Sequence, residues 1–278
     1  MADKIIDGRK IAAEILGQLK TKNVAGKLKL RLTAVSVGAD GKLRKFIELK
    51  KRAAENIGIE FNCRNFKTNS SQSNIISEIK RLACTKSVSG IFVELPIPKK
   101  FNTGKILNAI PPEKDVDVLS AAAQGKFFAG ESSILPPAVE AVKIIFEKYG
   151  ISLKGKRAAV FGYGLLTGRP AVHWLAASGA AVTTINEFTK NPGGLSKNAD
   201  IIVSGVGKHD LIKREMVKRG AVVVDFGYNT VNGKLCGDVD FAAVSKKAGL
   251  ITPVPGGVGP IVIAAVFQNL VKLTVSKN

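Results

Sequence analysis

The chain has 278 residues, 45% of them hydrophobic and 23% charged, enough apolar material for one large domain or two medium ones with real cores. Its net charge of +20 is spread over the whole length, without a dense basic run or an interleaving with aromatics, so it reads as solvated faces or as attraction for an anionic small molecule, with nucleic acid a distant third. No apolar run reads as long enough to cross a bilayer, the start carries no signal-peptide pattern, and Cys63, Cys84, Cys236 and two histidines offer neither a disulfide frame nor metal-ligand spacing. The expectation is a cytoplasmic protein that binds no metal, no membrane and no nucleic acid.

Taken in order, residues 8–22 carry Ile11, Ile15 and Leu19 on one helical face, and Leu30–Val37 alternates as a strand. A turn at 37–41 leads to a helix over 43–57, striped by Phe46, Leu49, Ala53 and Ile57. A strand at 59–66, a helix at 72–83 and a strand at 90–95, stopped by Pro96 and Pro98, complete a βαβ half with a parallel sheet. Residues 99–136 are irregular and mark a domain junction. A helix at 138–149 follows, capped by Gly150. Short apolar strands are expected at 158–161, 181–185, 199–204 and 221–226, separated by helices at 169–178 and 211–219. A short helix at 240–248 and the Pro- and Gly-rich loop 251–260 precede a last apolar helix, 261–274, expected to return to the core of the first domain.

The stretch Arg157-Ala-Ala-Val-Phe-Gly-Tyr-Gly-Leu-Leu-Thr-Gly-Arg-Pro170 reads as strand, glycine turn and helix. That layout brings backbone close to a dinucleotide pyrophosphate and turns the N–H groups of a helix start towards it. Gly162, Gly164 and Gly168 depart from the usual G-x-G-x-x-G spacing by one extra residue, so an ordinary tight βα turn is the competing reading. Glu187 lies just past the next strand, at about the distance of an acid that accepts from a ribose 2′-OH and repels a 2′-phosphate.

Lys50 stands one turn after Phe46, so both point the same way; the plain reading is a solvated lysine. Glu94 ends the third strand, where parallel sheets bind ligands, and a charge inside an apolar run needs a partner, for which Lys50 is the candidate. Asp117 follows Asp115 in a loop, where turn chemistry is the plain reading. Asp225 and Asp238 read either as metal ligands or as N-caps and turn formers.

These pieces together resemble the bifunctional methylenetetrahydrofolate dehydrogenase/methenyltetrahydrofolate cyclohydrolase family, nearly end to end. The resemblance is carried by Ile5-Ile6-Asp7-Gly8, Val93-Glu94-Leu95-Pro96-Ile97-Pro98, Pro112-Glu113-Lys114-Asp115-Val116-Asp117, Gly168-Arg169-Pro170, Val206-Gly207-Lys208, Gly237-Asp238-Val239-Asp240-Phe241 and Thr252–Pro260. It implies an α/β protein of two domains around a cleft: a folate-binding catalytic domain over 1–137 and 261–278, and a Rossmann-like NAD(P)-binding domain over 138–260. It implies a homodimer that oxidises 5,10-methylenetetrahydrofolate with NADP and hydrolyses the methenyl product to 10-formyltetrahydrofolate. Lys50 matches the family's catalytic lysine and Asp117 its pterin-holding aspartate, with Glu94 beside them. Phe46, Pro96, Pro255, Gly256 and Gly257 border the folate, and Gly162, Tyr163, Gly164, Gly168, Arg169, Glu187, Val206 and Gly207 the dinucleotide.

Several positions depart from the family's pattern. Phe46 stands for a tyrosine, Glu94 for a glutamine, Val118 for a glycine, and Lys42-Leu43 for Ala-Ser. Ile134-Leu135-Pro136-Pro137 stands for Pro-Cys-Thr-Pro, and Gly162-Tyr163-Gly164 for Gly-Arg-Ser, which with Glu187 leaves NAD open beside NADP. A carboxylate beside Lys50 favours its ammonium and opposes a general-base role. The alternatives are therefore a dehydrogenase with weak or lost cyclohydrolase activity, or a degenerate paralogue that only binds.

Overall fold

The computed structural model describes residues 4–25, 29–38 and 40–276; Ala39 of the expected turn, the two chain ends and the side chains of Val24, Ala25 and Lys42 lie outside that description. The elements run α1 (Gly8–Ala25), β1 (Arg31–Val37), α2 (Gly41–Asn56), β2 (Glu60–Phe66), α3 (Gln72–Cys84), β3 (Gly90–Val93), α4 (Thr103–Leu107), α5 (Ala121–Phe128) and α6 (Pro137–Lys148). They continue with β4 (Arg157–Phe161), α7 (Gly168–Ala177), β5 (Ala181–Ile185), α8 (Pro192–Ser196), β6 (Ile201–Ser204), β7 (Val222–Asp225), β8 (Asn229–Val231), β9 (Lys234–Cys236), α9 (Phe241–Val244), β10 (Leu250–Ile251) and α10 (Val258–Val275). Two compact units result: Ala13–Pro137 with Ile263–Asn278, and Met1–Ala12 with Ala138–Val262.

The first unit is built on a three-stranded parallel sheet in the order β2-β1-β3. Strand β1 is central, so six of its seven residues are buried, whereas edge strand β2 keeps its residues partly or fully exposed. Helix α3 starts on an N-cap, Ser71 accepting from the Asn74 N–H, and buries Ile75, Ile79 and Leu82. Helix α10 reaches this unit as expected: buried Asn269 donates through Nδ2 to Val116 O at 2.9 Å and Leu135 O at 2.8 Å. The expectation about bilayer-length runs needs a correction, because α10 has 18 residues and a mean hydropathy of 1.7, enough to span by length and composition alone. Ile261, Ala264, Val266, Phe267 and Leu270 are fully buried, which accounts for that apolarity as core, each large side chain contributing about 1.5–3 kcal/mol.

The second unit carries a five-stranded, wholly parallel sheet in the order β10-β7-β6-β4-β5. Every residue of β6 and β7 is buried, as a sheet covered on both faces requires. The expected boundaries put the start of the chain in the first domain. The segment around Ile5 instead extends the edge of this sheet: Ile6 N donates to Ile251 O at 2.8 Å and Ile251 N to Lys4 O at 2.9 Å. The expected helix over 211–219 is a further correction, since only a 3₁₀ turn at Arg214–Met216 forms. Ile212 pairs in parallel with Val239, and Ile212 N and Asp240 N make the bridging bonds, so a distant partner outcompetes the local helix.

Candidate active site

In the first unit, three charged groups converge. Helix α2 sets Phe46 and Lys50 one turn apart on the same face. Glu94 extends β3, its N–H donating to Val35 O at 2.9 Å. Lys50 Nζ donates to Glu94 Oε2 at 2.7 Å, and the two side chains are 12% and 8% exposed. The partner sought for the strand-end carboxylate is therefore Lys50. Nζ also stands 4.5 Å from the centre of the Phe92 ring, which is itself fully buried. Phe92 was not among the expected site residues, yet it lies two positions before Glu94, and alternate strand residues share a face. Phe46 is half-buried on the same helix, and Pro96 is exposed after Glu94.

Asp117 completes the group. It is partly exposed as a residue, but its carboxyl lies among protein atoms, and desolvation pushes its pKa from 3.8 up to about 7. Lys50 opposes that rise, while Asp115 and Glu94 add to it. Asp115 shapes the turn: its Oδ2 accepts from Leu119 N at 3.0 Å and Ser120 N at 2.7 Å, and burial raises its own pKa against those bonds. Val118, next to Asp117, sits in the left-handed region at φ 57° and is buried. A β-branched residue there is strained by about 1–3 kcal/mol, so the turn that presents Asp117 is held by its surroundings rather than by local preference.

In the second unit, β4 runs into Gly162, whose φ of 89° suits glycine and whose N–H donates to Ile185 O at 2.8 Å. A Cβ at Gly168 would collide with Gly162 O, so helix α7 starts in contact with the turn, and this contact requires the third glycine despite the unusual spacing. A Cβ at Gly164 would meet nothing, so that glycine is not required by the chain's own atoms. Arg169 donates through Nε to Tyr163 O at 3.1 Å and lies 5.5 Å from the Tyr163 ring centre. The loop after β6 lines the same turn, Gly205 N donating to Phe161 O at 3.1 Å, with Val206 exposed beside Gly207. Glu187 is exposed beyond β5.

Two buried carboxylates that the sequence left between metal ligation and turn formation prove to be organisers of this region. Asp238 accepts from Ser204 Oγ at 2.7 Å, Val206 N at 2.8 Å, Lys208 N at 2.8 Å and Asn229 Nδ2 at 3.2 Å. Asp225 accepts from Gly227 N, Asp238 N and Val239 N, at 2.7, 3.1 and 3.0 Å. The loops at the carboxyl ends of β6 and β7 are thereby fixed to one another. In the loop that leads to α10, Pro255 is exposed, Gly256 has φ 98°, and Gly257 is buried where a Cβ would strike Pro253 O.

A tetrahydrofolate dehydrogenase/cyclohydrolase catalytic-domain model matches residues 6–117, and the model of the same family's NAD(P)-binding domain matches residues 136–278. The chain belongs to the tetrahydrofolate dehydrogenase/cyclohydrolase family. It is accordingly a dehydrogenase and cyclohydrolase of tetrahydrofolate chemistry, built from a catalytic and an NAD(P)-binding domain. It is 38% identical over 274 residues to the bifunctional protein FolD of Lactobacillus gasseri, covering 98% of this chain and 97% of that protein. The FolD protein of Staphylococcus aureus is 40% identical over 274 residues, covering 97% of this chain and 96% of the other. Among solved structures, the bifunctional FolD enzyme of Campylobacter jejuni superposes with a TM-score of 0.95 at 35% identity, over 99% of both chains. The Trypanosoma brucei dehydrogenase-cyclohydrolase, solved with NADP and an inhibitor, gives 0.93 at 30% identity, over 98% and 97% of the chains.

A cavity of about 440 Å³ lined by Lys156, Asp200, Lys218 and Arg219 lies at the amino ends of β4, β6 and β7. Ligands of parallel sheets bind at the carboxyl ends, where the glycine turn, Val206 and Glu187 lie. A smaller cavity of about 250 Å³ is lined in part by Val118, Lys126 and Glu131.

Proposed function

We propose that Lys50, Glu94 and Asp117 carry the folate chemistry of this family member: oxidation of 5,10-methylenetetrahydrofolate to the methenyl form, then hydrolysis to 10-formyltetrahydrofolate. The observation that carries the assignment is the buried 2.7 Å pair of Lys50 and Glu94 beside a carboxyl that titrates near 7. A group with that pKa holds or yields a proton at working pH, as a proton-managing residue must. The Lys50 ammonium supplies positive charge where a water-derived anion develops in the hydrolytic step. Phe46 and Pro96 flank this group along the chain and border the pterin.

The dinucleotide is NADP, as in the Trypanosoma brucei relative, and the glycine turn fits it, because Gly168 lets the start of α7 close against Gly162 while the space over Gly164 is open. When bound, it supplies the two-electron acceptor for the dehydrogenase step. Gly162, Tyr163, Gly164, Gly168 and Arg169 hold the pyrophosphate side, Val206 and Gly207 the facing loop, and Glu187 the ribose. A second reading, use of NAD as well, is favoured by Glu187, whose exposed carboxylate repels a 2′-phosphate. A homodimer in the cytoplasm follows from the family reading, and sedimentation of the purified chain tests the dimer. The deciding assay is spectrophotometric: methylenetetrahydrofolate with each dinucleotide, and methenyltetrahydrofolate alone. Absence of both reactions at high enzyme concentration overturns the assignment.

A further inference from the structure

Two aromatic side chains stand exposed at neighbouring strand tips of the NAD(P)-binding unit. Tyr163 is 51% exposed two residues beyond Phe161 of β4, and Phe188 is 84% exposed three residues beyond Ile185 of β5. Phe161 and Ile185 are paired in the ladder, and Gly162 N bonds to Ile185 O, so the two tips leave the sheet side by side. Neighbouring strands lie about 4.8 Å apart, so the two turns start side by side at this end of the sheet.

Neither tip is loose. Asn186 Oδ1 accepts from Phe188 N at 3.1 Å and from Thr189 Oγ1 at 3.2 Å, Asn186 N donates to Thr189 Oγ1 at 2.9 Å, and Thr189 N donates to Asn186 O at 3.1 Å. Four hydrogen bonds within four residues pin the turn that holds Phe188 outwards. Tyr163 is backed by Arg169, which binds its carbonyl and lies 5.5 Å from its ring centre. Among the described residues, Phe188 is the most exposed of the exposed large apolar ones, so the fold holds a phenyl ring in water on a fixed turn.

We propose that Phe188, with Tyr163, forms an aromatic platform that binds the adenine base of the dinucleotide. The proposal rests on the dinucleotide reading above. In a doubly wound sheet the adenosine half lies past the strand that follows the glycine turn, here β5, next to the acid that meets its ribose. That acid, Glu187, immediately precedes Phe188. Stacking on an aromatic ring asks nothing of the 2′-position, so the base is gripped equally in NAD and NADP, while Glu187 alone weighs the 2′-phosphate.

The test is calorimetric titration of the full chain with ADP, nicotinamide mononucleotide and NADP. Base–aromatic stacking predicts that Phe188→Ala weakens ADP and NADP binding about tenfold and leaves nicotinamide mononucleotide unchanged. Phe188→Trp restores the affinity, and Tyr163→Ala reproduces part of the loss for the same two ligands. Affinity for ADP within twofold of wild type in both alanine variants overturns the platform, as does an equal loss for nicotinamide mononucleotide. A wild-type chain that binds NADP but shows no change in the variants sinks only this proposal. A wild-type chain that binds neither NADP nor ADP overturns the dinucleotide assignment together with it.

Discussion

Replacing Asp117 with asparagine separates what the site costs the fold from what it gives to chemistry. Burial raises the Asp117 pKa from 3.8 to about 7, so the folded chain holds a proton that the unfolded chain has released across that interval. The sign follows: between about pH 4 and 7 the native state binds more protons, so stability from this group is present in acid and lost as pH rises through the folded pKa. The whole difference corresponds to about 4 kcal/mol, of which about 2–3 kcal/mol falls between pH 5 and 8.5. Asparagine has the same shape and no charge to desolvate. Asp117→Asn should therefore gain about 2–3 kcal/mol over wild type at pH 8.5 compared with pH 5, a relative rise of about 5–10 °C in Tm. Both folate activities should fall sharply in the same variant. The assay is a pair of thermal melts at each pH, wild type against variant. If the two differences agree within a degree, Asp117 does not titrate in this range and the proton-managing role loses its basis.

Glu94→Gln removes one of the charges that raise the Asp117 pKa and frees Lys50 from its 2.7 Å partner. Its pH–rate profile should move to lower pH and its cyclohydrolase rate at pH 7 should rise several-fold; an unchanged profile would show that the pair does not govern proton traffic. Glu187→Ser should lower the KM for NADP about fivefold, the worth of about 1 kcal/mol of exposed like-charge repulsion, and raise the KM for NAD, whose 2′-OH loses its acceptor. Equal cofactor preference before and after would place Glu187 away from the ribose. Asp238→Asn turns a donor towards Val206 N–H or Lys208 N–H and should cost about 1–3 kcal/mol of stability, with a raised KM for NADP and an unchanged KM for folate. A parallel rise in both KM values would mean the carboxylate supports the fold alone.

The architecture was legible because apolar runs alternate with amphipathic stretches, and buried parallel strands such as β6 and β7 admit no polar residue until their ends. Lys50 and Glu94 were legible for a similar reason: a charge closing an apolar strand calls for a counter-charge. Phe92 could have been found from its shared face with Glu94. The hairpin β8–β9 could have been found from Val231-Asn232-Gly233-Lys234, where Asn232 and Gly233 take φ of 49° and 74°, the pattern of a tight hairpin turn. The bridge of Ile212 to Val239 had no local signal, since it rests on pairing 27 residues away and overrides a credible helical pattern. Nor could residue type alone disclose the strained conformation of Val118 or the near-neutral titration of Asp117, which depend on what surrounds them.

The loop that presents Asp117 is closed by a residue made very late. Asn269 binds Val116 O across 153 positions and Leu135 O across 134, so a nascent chain on the ribosome cannot finish this unit when its sheet has emerged. The whole NAD(P)-binding unit must be synthesised first. The folate half therefore waits, with α10 as the last piece to arrive, and a ribosome stalled before residue 269 would display a chain whose second half can fold ahead of its first.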